Sequence, residues 1–382
     1  MIRHVLAFEE NGALRLGSQV RQEAHGGKLM GLPLLSEGSQ EAGAELFRVE
    51  ARGDVQRERV VHRGEGRPGE GLAEQRLAWR RGELALAPEA SRALRWDDSA
   101  GSEPFWEVAE DIRVLPLRTP TLPPATHTNA FLVGADELLL IEPAPSEQSE
   151  CDVLVAAVES LGVSVRAIAL THHHIDHVGG AAYLSERLGA PLWAHEETAK
   201  SLPKLKFERH LTGGEVLQIG GKSLRVVHTP GHARGHLCFA DEESSLLIAG
   251  DMVAGVGTIL VEPGDGDMNE YLRQLQRLED LGLKRLVPAH GGLVLDGPAL
   301  CRRTREHRKG RDKKVASALL EMSAAAPVSV DELLPRVYAD VPKALYPLAR
   351  LSLLAHLEGM EIRGEALQAS GRWQSQTASP VV

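Results

Sequence analysis

The sequence predicts a mixed α/β (α+β) fold with reactive side chains gathered on one rim of a sheet. Three observations predict it. Short apolar runs bounded by Gly and Pro recur through the middle of the chain, as buried strands do. One of them, residues 165–170, passes through a loop into a helical start at residues 179–184, the strand–loop–helix order of layered α/β proteins. Beyond residue 300 the apolar spacing turns helical over three successive segments. A chain of 382 residues is expected to hold three units: 1–104, 105–299 and 300–382.

The first unit is rich in Gly, Arg and Glu. Its apolar stretches at residues 45–50 and 83–87 suggest a small β-rich or α+β domain of unknown fold. Residues 63–71 read as a flexible loop. The segment holds no phosphate loop, metal cluster, internal repeat or paired-Glu Nudix box.

In the second unit, residues 138–141 read as a strand ending in Glu142-Pro143-Ala144. Residues 165–170 form the next, and the loop after them reads Thr171-His172-His173-His174-Ile175-Asp176-His177-Val178-Gly179-Gly180. Residues 224–227 run into a Pro-Gly turn that presents His232. Residues 246–249 end at Gly250-Asp251, where Gly250 lets the backbone pass close to a neighbour. Residues 286–289 end at His290-Gly291. Four strand ends thus offer His172, His174, Asp176, His177, His232, Asp251 and His290 to one rim. Loops at the C-terminal ends of strands are where α/β proteins carry their chemistry. Neutral imidazole is the commonest protein ligand for zinc and iron, and carboxylates beside it suit a divalent ion that also holds water. A histidine tag would lie at a terminus and lack the spaced Asp. Cys238, in Leu237-Cys238-Phe239, reads as part of a core strand rather than as a ligand.

In the third unit, residues 300–322 read as one long helix with a weak point at Gly310. Ser329-Val330-Asp331-Glu332 is a capping-box start for a helix over residues 330–339. Leu348, Leu351, Leu354 and Leu357 set a third helix over residues 345–360, and a hairpin is expected at residues 361–367. Three helices and a hairpin outline a winged helix. The third helix has few basic residues, so sequence-specific DNA binding is not expected.

The strand-end motifs over residues 119–292 resemble the metallo-β-lactamase superfamily of metallohydrolases. That resemblance implies a four-layer αβ/βα sandwich with a binuclear metal site along one edge. It implies one metal on His172, His174 and His232, a second on Asp176, His177 and His290, and Asp251 bridging both. It also implies two zinc ions, with iron or manganese as alternatives. Two such ions about 3.5–4 Å apart can share a hydroxide that attacks a carbonyl or phosphoryl centre, with Asp176 as the catalytic residue that orients it. True metallo-β-lactamases generally lack the bridging Asp, and flavo-di-iron proteins usually carry Glu at the position of His174. Two departures are visible: Glu142-Pro143-Ala144 stands where the family often has Asp-Thr-Gly, and Ala289 precedes the last His where Gly is common. Glu142 is expected to act as a longer substitute for the supporting Asp.

Over residues 105–372 the chain is similar to the beta-lactamase-like protein two group. The similarity rests on residues 120–134, on Gly255-Val256-Gly257-Thr258 and on Arg305-Glu306-His307-Arg308 after the last His. It implies a C-terminal winged-helix-like domain and an endoribonuclease acting on single-stranded RNA. A glyoxalase II-like thioesterase has the same seven ligands, and a mono-iron persulfide dioxygenase would use His172, His232 and Asp251. A winged-helix regulator with a vestigial metal domain is the non-enzyme reading.

A basic strip at residues 302–314 follows His290, and Arg302, Arg305 and Arg308 are its candidate substrate-binding residues. A formal net charge of −10 opposes strong general nucleic-acid binding. The three scattered cysteines fit a reducing compartment, and the cytoplasm is expected. Residues 1–10 lack the pattern of a signal peptide, and no apolar run is long enough to span a membrane.

Overall fold

The computed structural model describes residues 105–376 apart from residue 256, and in the first hundred residues only four strands. Those strands form two antiparallel hairpins, β1 (His4–Phe8) with β2 (Leu14–Ser18) and β3 (Glu45–Val49) with β4 (Val55–Arg59). The stretch expected at residues 83–87 and the loop at 63–71 lie outside the described residues.

The central unit is built on two sheets. The larger has seven strands in the order β11-β10-β9-β8-β7-β6-β5. These are β5 (Trp106–Ala109), β6 (Ile112–Arg118), β7 (His127–Val133), β8 (Glu137–Ile141), β9 (Ser164–Ala169), β10 (Leu192–Ala194) and β11 (Phe207–His210). The smaller runs β12 (Val216–Ile219), β13 (Lys222–His228), β14 (Leu237–Asp241), β15 (Leu246–Gly250) and β16 (Arg285–Pro288) in sequence order. In both, antiparallel pairing gives way to parallel pairing, at β8–β9 and at β15–β16.

Alternation along the strands sorts side chains between two apolar cores. Phe131, Val133, Leu139, Ile141, Ala167 and Ala169 point between the sheets and meet Leu224, Val226, Phe239 and Ile248. Their neighbours Leu132, Leu138, Leu140 and Ile168 point outward, onto Leu154 and Val158 of helix Gln148–Leu161 and Leu184 of helix Ala181–Leu188. Beyond the second sheet, Val227, Cys238 and Ala249 pack on Tyr271, Leu275 and Leu278 of helix Met268–Asp280. Helix, sheet, sheet and helix make the expected four-layer sandwich. Strands β9, β13, β15 and β16 all end along one of its edges, where their following loops meet.

The long C-terminal helix runs Gly297–Met322 without interruption at Gly310. It carries residues of two cores. Cys301 packs with the second helix layer, whereas Val315, Ala318 and Leu319 belong to the C-terminal core with Leu333, Leu353, Leu357 and Trp373. A boundary at residue 300 therefore falls inside one helix. Helices Val330–Val337 and Tyr346–Ile362 follow. The expected hairpin lies later than residues 361–367, in β18 (Ala366–Ala369) and β19 (Arg372–Ser375), with β17 (Val328–Ser329) as a third strand. The helix extends to Ile362, and the tight turn sits at Ser370-Gly371, both with positive φ of 50° and 76°. Among the described residues no helix is long and apolar enough to cross a membrane.

The capping box forms as read: Ser329 Oγ accepts from the Glu332 N–H at 3.2 Å, and the Glu332 carboxylate accepts from the Ser329 N–H at 2.6 Å. Ser329→Ala is expected to cost the C-terminal unit about 1 kcal/mol. Denaturant unfolding of the full chain, followed by Trp373 fluorescence against a Trp373→Phe background, checks this.

Candidate metal centre

The loop after β9 is not all coil. A single helical turn, Ile175–Val178, starts behind His174, and the His177 N–H bonds the His174 carbonyl at 3.0 Å. This turn lets Asp176 and His177 project from adjacent positions while His172 and His174 stay in the extended segment before it. The loop is tied across to the second sheet by the Leu237 N–H on the Thr171 carbonyl at 2.8 Å.

His172, His174 and His232 come together as one group, and Asp176, His177 and His290 as another. Asp251 lies between the groups. Its Oδ2 is 3.4 Å from His177 Nε2 and 3.6 Å from His232 Nε2, and its Oδ1 is 3.4 Å from His290 Nε2. Asp176 Oδ2 is 3.7 Å from His177 Nε2 and 3.5 Å from His290 Nε2.

Hydrogen bonds on the far side of each ring fix which nitrogen faces inward. His232 Nδ1 donates to the Leu260 carbonyl at 2.8 Å, so its Nε2 carries a bare lone pair. His290 Nδ1 donates to the His127 carbonyl at 3.0 Å. His177 Nδ1 donates to Glu142 Oε1 at 3.0 Å. Thr171 gives its hydroxyl hydrogen to Glu142 at 2.6 Å, so its oxygen accepts from His172 Nδ1 at 2.9 Å. His174 Nε2 donates to Asp265 Oδ2 at 3.2 Å. Three lone pairs then converge: His172 Nε2 lies 3.0 Å from His174 Nδ1 and 3.1 Å from His232 Nε2. Nitrogens that are all acceptors do not hydrogen-bond one another. Ligand atoms about 2.0–2.1 Å from one tetrahedral ion sit about 3.3 Å apart, and the observed 3.0 and 3.1 Å are a little shorter than the spacing a cation between these rings would give. Asp251 Oδ1 and His177 Nε2 are likewise buried without a hydrogen-bond partner. The donor set fits two divalent ions.

The electrostatics agree. Burial, then the neighbouring rings, holds His172 well below its ordinary value, and burial brings His232 down to about 4. Both are neutral near pH 7, as metal ligation requires. Burial opposes charge on His177, but Glu142, Asp251 and Asp176 outweigh it and raise that ring well above its ordinary value. Burial pushes Asp251 up, but His290 and His177 outweigh it and hold its carboxyl well below the usual range. The Asp251 side of the site calls for positive charge.

Glu142, wholly buried, stands where the supporting carboxylate was expected and serves both Thr171 and His177. It reaches them from a left-handed backbone, φ 65°. Ala289 needs no such conformation: its N–H bonds the Gly250 carbonyl at 3.0 Å, and Asn129 Nδ2 clamps the turn through the Pro288 and Gly291 carbonyls. The neighbour that Gly250 passes is His236. A Cβ on Gly250, whose φ is 50°, would sit 2.6 Å from His236 Nε2, and that nitrogen accepts the Asp251 N–H at 3.0 Å. Sequence reading did not single out His236 or Asp265. Their signals were a second His four residues after His232 and an Asp between two glycines, both ordinary in loops. Cys238 lies buried on β14, away from ligand duty.

The three candidate arginines of the basic strip are engaged by the protein's own groups. Arg302 and Arg305 pair with Glu279 at 2.7 and 2.8 Å. Arg308 is buried and donates to the Ile259 carbonyl and, at 3.0 Å, to Thr258 Oγ1. Of the three expected substrate-binding arginines, two share the one carboxylate of Glu279 on a neighbouring helix and one is packed inside.

The family model described as Metallo-beta-lactamase superfamily matches residues 123–290, and that of the Beta-lactamase associated winged helix domain matches residues 329–373. An atrochrysone carboxyl ACP thioesterase of Aspergillus chevalieri is 31% identical over 258 residues, 64% of this chain and 80% of the relative. A lactamase-like protein of Aspergillus niger is 30% identical over 264 residues, with the same shares covered. Among solved structures, a metallo-beta-lactamase family protein from Thermus thermophilus matches at a TM-score of 0.60 and 26% identity, covering 71% of this chain and 100% of that one. Sandwich, ligand-bearing rim and sequence relatives agree, and the chain belongs to the metallo-β-lactamase superfamily, as a member with a C-terminal winged helix domain.

Proposed function

We propose that the protein is a thioester hydrolase acting through two zinc ions, one on His172, His174 and His232, the other on Asp176, His177 and His290, with Asp251 between them. The observation that carries this reading is a complete inward-facing donor set, with Arg302, Arg305 and Arg308 all engaged by the protein's own groups. An RNA substrate needs unpaired cations near the reacting atoms. A thioester carbonyl does not. The relative named as an acyl carrier protein thioesterase supports the same choice, with the acyl group presented on a carrier protein or a small thiol. Zinc suits five imidazoles and two carboxylates. Residues 105–299 are proposed as the catalytic unit and residues 300–382 as the C-terminal unit, joined to it through the shared helix Gly297–Met322. The three cysteines, buried and unbridged, support a cytoplasmic setting.

Bound divalent ions supply polarisation of a carbonyl oxygen and a water acidic enough to be deprotonated near neutral pH. The chain's own groups do the positioning. The inward lone pairs of His172, His174 and His232 are held in register by Thr171, Asp265 and the Leu260 carbonyl. Asp176, 15% exposed at its side chain, is the ligand-cluster carboxylate most open to solvent, and it accepts and orients the proton of the attacking water. The acyl carbon is reached from that side, and the thiol leaves with the proton.

Thiol release from acetyl and aromatic thioesters of coenzyme A and of acyl carrier protein tests the proposal, beside a labelled single-stranded RNA. Expected is thioester hydrolysis that a chelator abolishes and zinc restores, with no RNA cleavage. RNA cleavage without thiol release would reject it, and oxygen uptake with a persulfide by an iron-loaded protein would move it to another reaction class.

A further inference from the structure

Arg308 has an unusual place for a residue in a basic strip. It leaves helix Gly297–Met322 as a residue only 5% exposed and enters the segment that follows Asp251. One guanidinium nitrogen donates to the Ile259 carbonyl and to Thr258 Oγ1, and the other reaches Ser352 Oγ of helix Tyr346–Ile362 at 3.5 Å. The next carbonyl along, Leu260, is the acceptor that fixes His232 Nδ1 at 2.8 Å. The guanidinium carbon also lies 6.0 Å from the centre of the Tyr271 ring. Tyr271 in turn donates its hydroxyl to the Met252 carbonyl at 2.8 Å, beside Asp251. Its backbone sits where a Cβ on Gly231, φ 132°, would come within 2.4 Å, beside His232. Arg308 therefore holds the residue next to the His232 support, lies over the Tyr271 ring, and contacts no candidate ligand itself.

We propose that Arg308 is a positioning residue through which the C-terminal domain sets the metal affinity of the His172–His174–His232 group. The link is the peptide that Arg308 grips: Ile259 and Leu260 are adjacent, and only with Leu260 in place does His232 present a bare Nε2 inward. A guanidinium suits this task because its fork can hold a carbonyl, a hydroxyl and a second helix at once. Arg311, one helical turn on, is the internal contrast. It is also buried, but it holds the Val337 carbonyl and the half-exposed Asp340, both in the C-terminal unit. The inference rests on the two-metal reading and is independent of the substrate.

Zinc affinity of the full chain, titrated against a chromophoric chelator, tests it in Arg308→Ala, Arg308→Lys and Arg311→Ala. Loss of supports around a metal ligand typically costs ~10–100-fold in affinity. For Arg308→Ala we expect about tenfold weaker binding of one zinc and no change in the other. Arg308→Lys, which keeps the charge and one donor nitrogen but not the fork, recovers part of it. Arg311→Ala lowers the thermal midpoint and leaves both affinities at wild-type values. Should Arg308→Ala not fold, the lysine variant decides: selective weakening of one site supports the role, and wild-type affinities overturn it. Equal weakening of both sites by Arg308→Ala and Arg311→Ala also overturns it, by making Arg308 a general stabiliser. A wild-type protein that binds no zinc would instead remove the two-metal reading itself.

Discussion

Asp251→Asn is expected to leave the protein folded, with less than one firmly held zinc per chain and thioester turnover lowered about 10³-fold, the loss that ~4 kcal/mol of transition-state stabilisation represents. The reason is geometric. The Asp251 carboxylate faces His177 and His232 with one oxygen and His290 with the other. An asparagine keeps one acceptor and turns an N–H₂ toward a bare imidazole nitrogen, making a good hydrogen bond where a cation should sit. The backbone is unaffected, because the Asp251 N–H stays on His236. Elemental analysis and thiol-release kinetics check both parts. Retention of two zinc ions at wild-type turnover would exclude the bridging role.

Glu142→Ala is expected to be the most destabilising single change near the site, at about 3–5 kcal/mol, because it removes one partner of a buried charged pair. Glu142 and His177 are both wholly buried, 3.0 Å apart, and Thr171 also gives its hydroxyl hydrogen to the same oxygen. Removing the carboxylate strands the His177 Nδ1–H and frees the Thr171 hydroxyl, on which the His172 tautomer depends. Both metal groups lose a support at once. Glu142→Gln keeps the size and one acceptor and is expected to fall between. Denaturant unfolding of the metal-free protein separates this stability effect from lost metal binding, and an unchanged midpoint for Glu142→Ala would contradict it.

The candidate ligand positions were legible because they are local: His232, Asp251 and His290 each stand beside Gly just past an apolar run, and the other four share one short loop after residues 165–170. What the sequence could not show depends on distant partners. His236 and Asp265 act on ligands 15 and 91 residues away, so neither has a recognisable neighbourhood in the chain. Arg308 read as a candidate substrate-binding residue of a basic strip, and only the packing of the C-terminal helices shows it pointing inward. The one-turn helix at Ile175–Val178 was hidden by its own ligands, which read as loop. The hairpin was placed too early because the helix before it runs on to Ile362, although Ser370-Gly371 carried a turn signal. Sheet order is non-local by nature: β8 pairs with β9 across helix Gln148–Leu161, and no periodicity records that.

The central claim is that these seven side chains hold two divalent ions. Metal content per chain, measured by elemental analysis on full-length protein purified without chelator, tests it most directly. The account predicts close to two zinc ions per chain. A well-folded protein with no bound metal would contradict it, and a single iron per chain would replace the hydrolase with an oxygen-dependent chemistry.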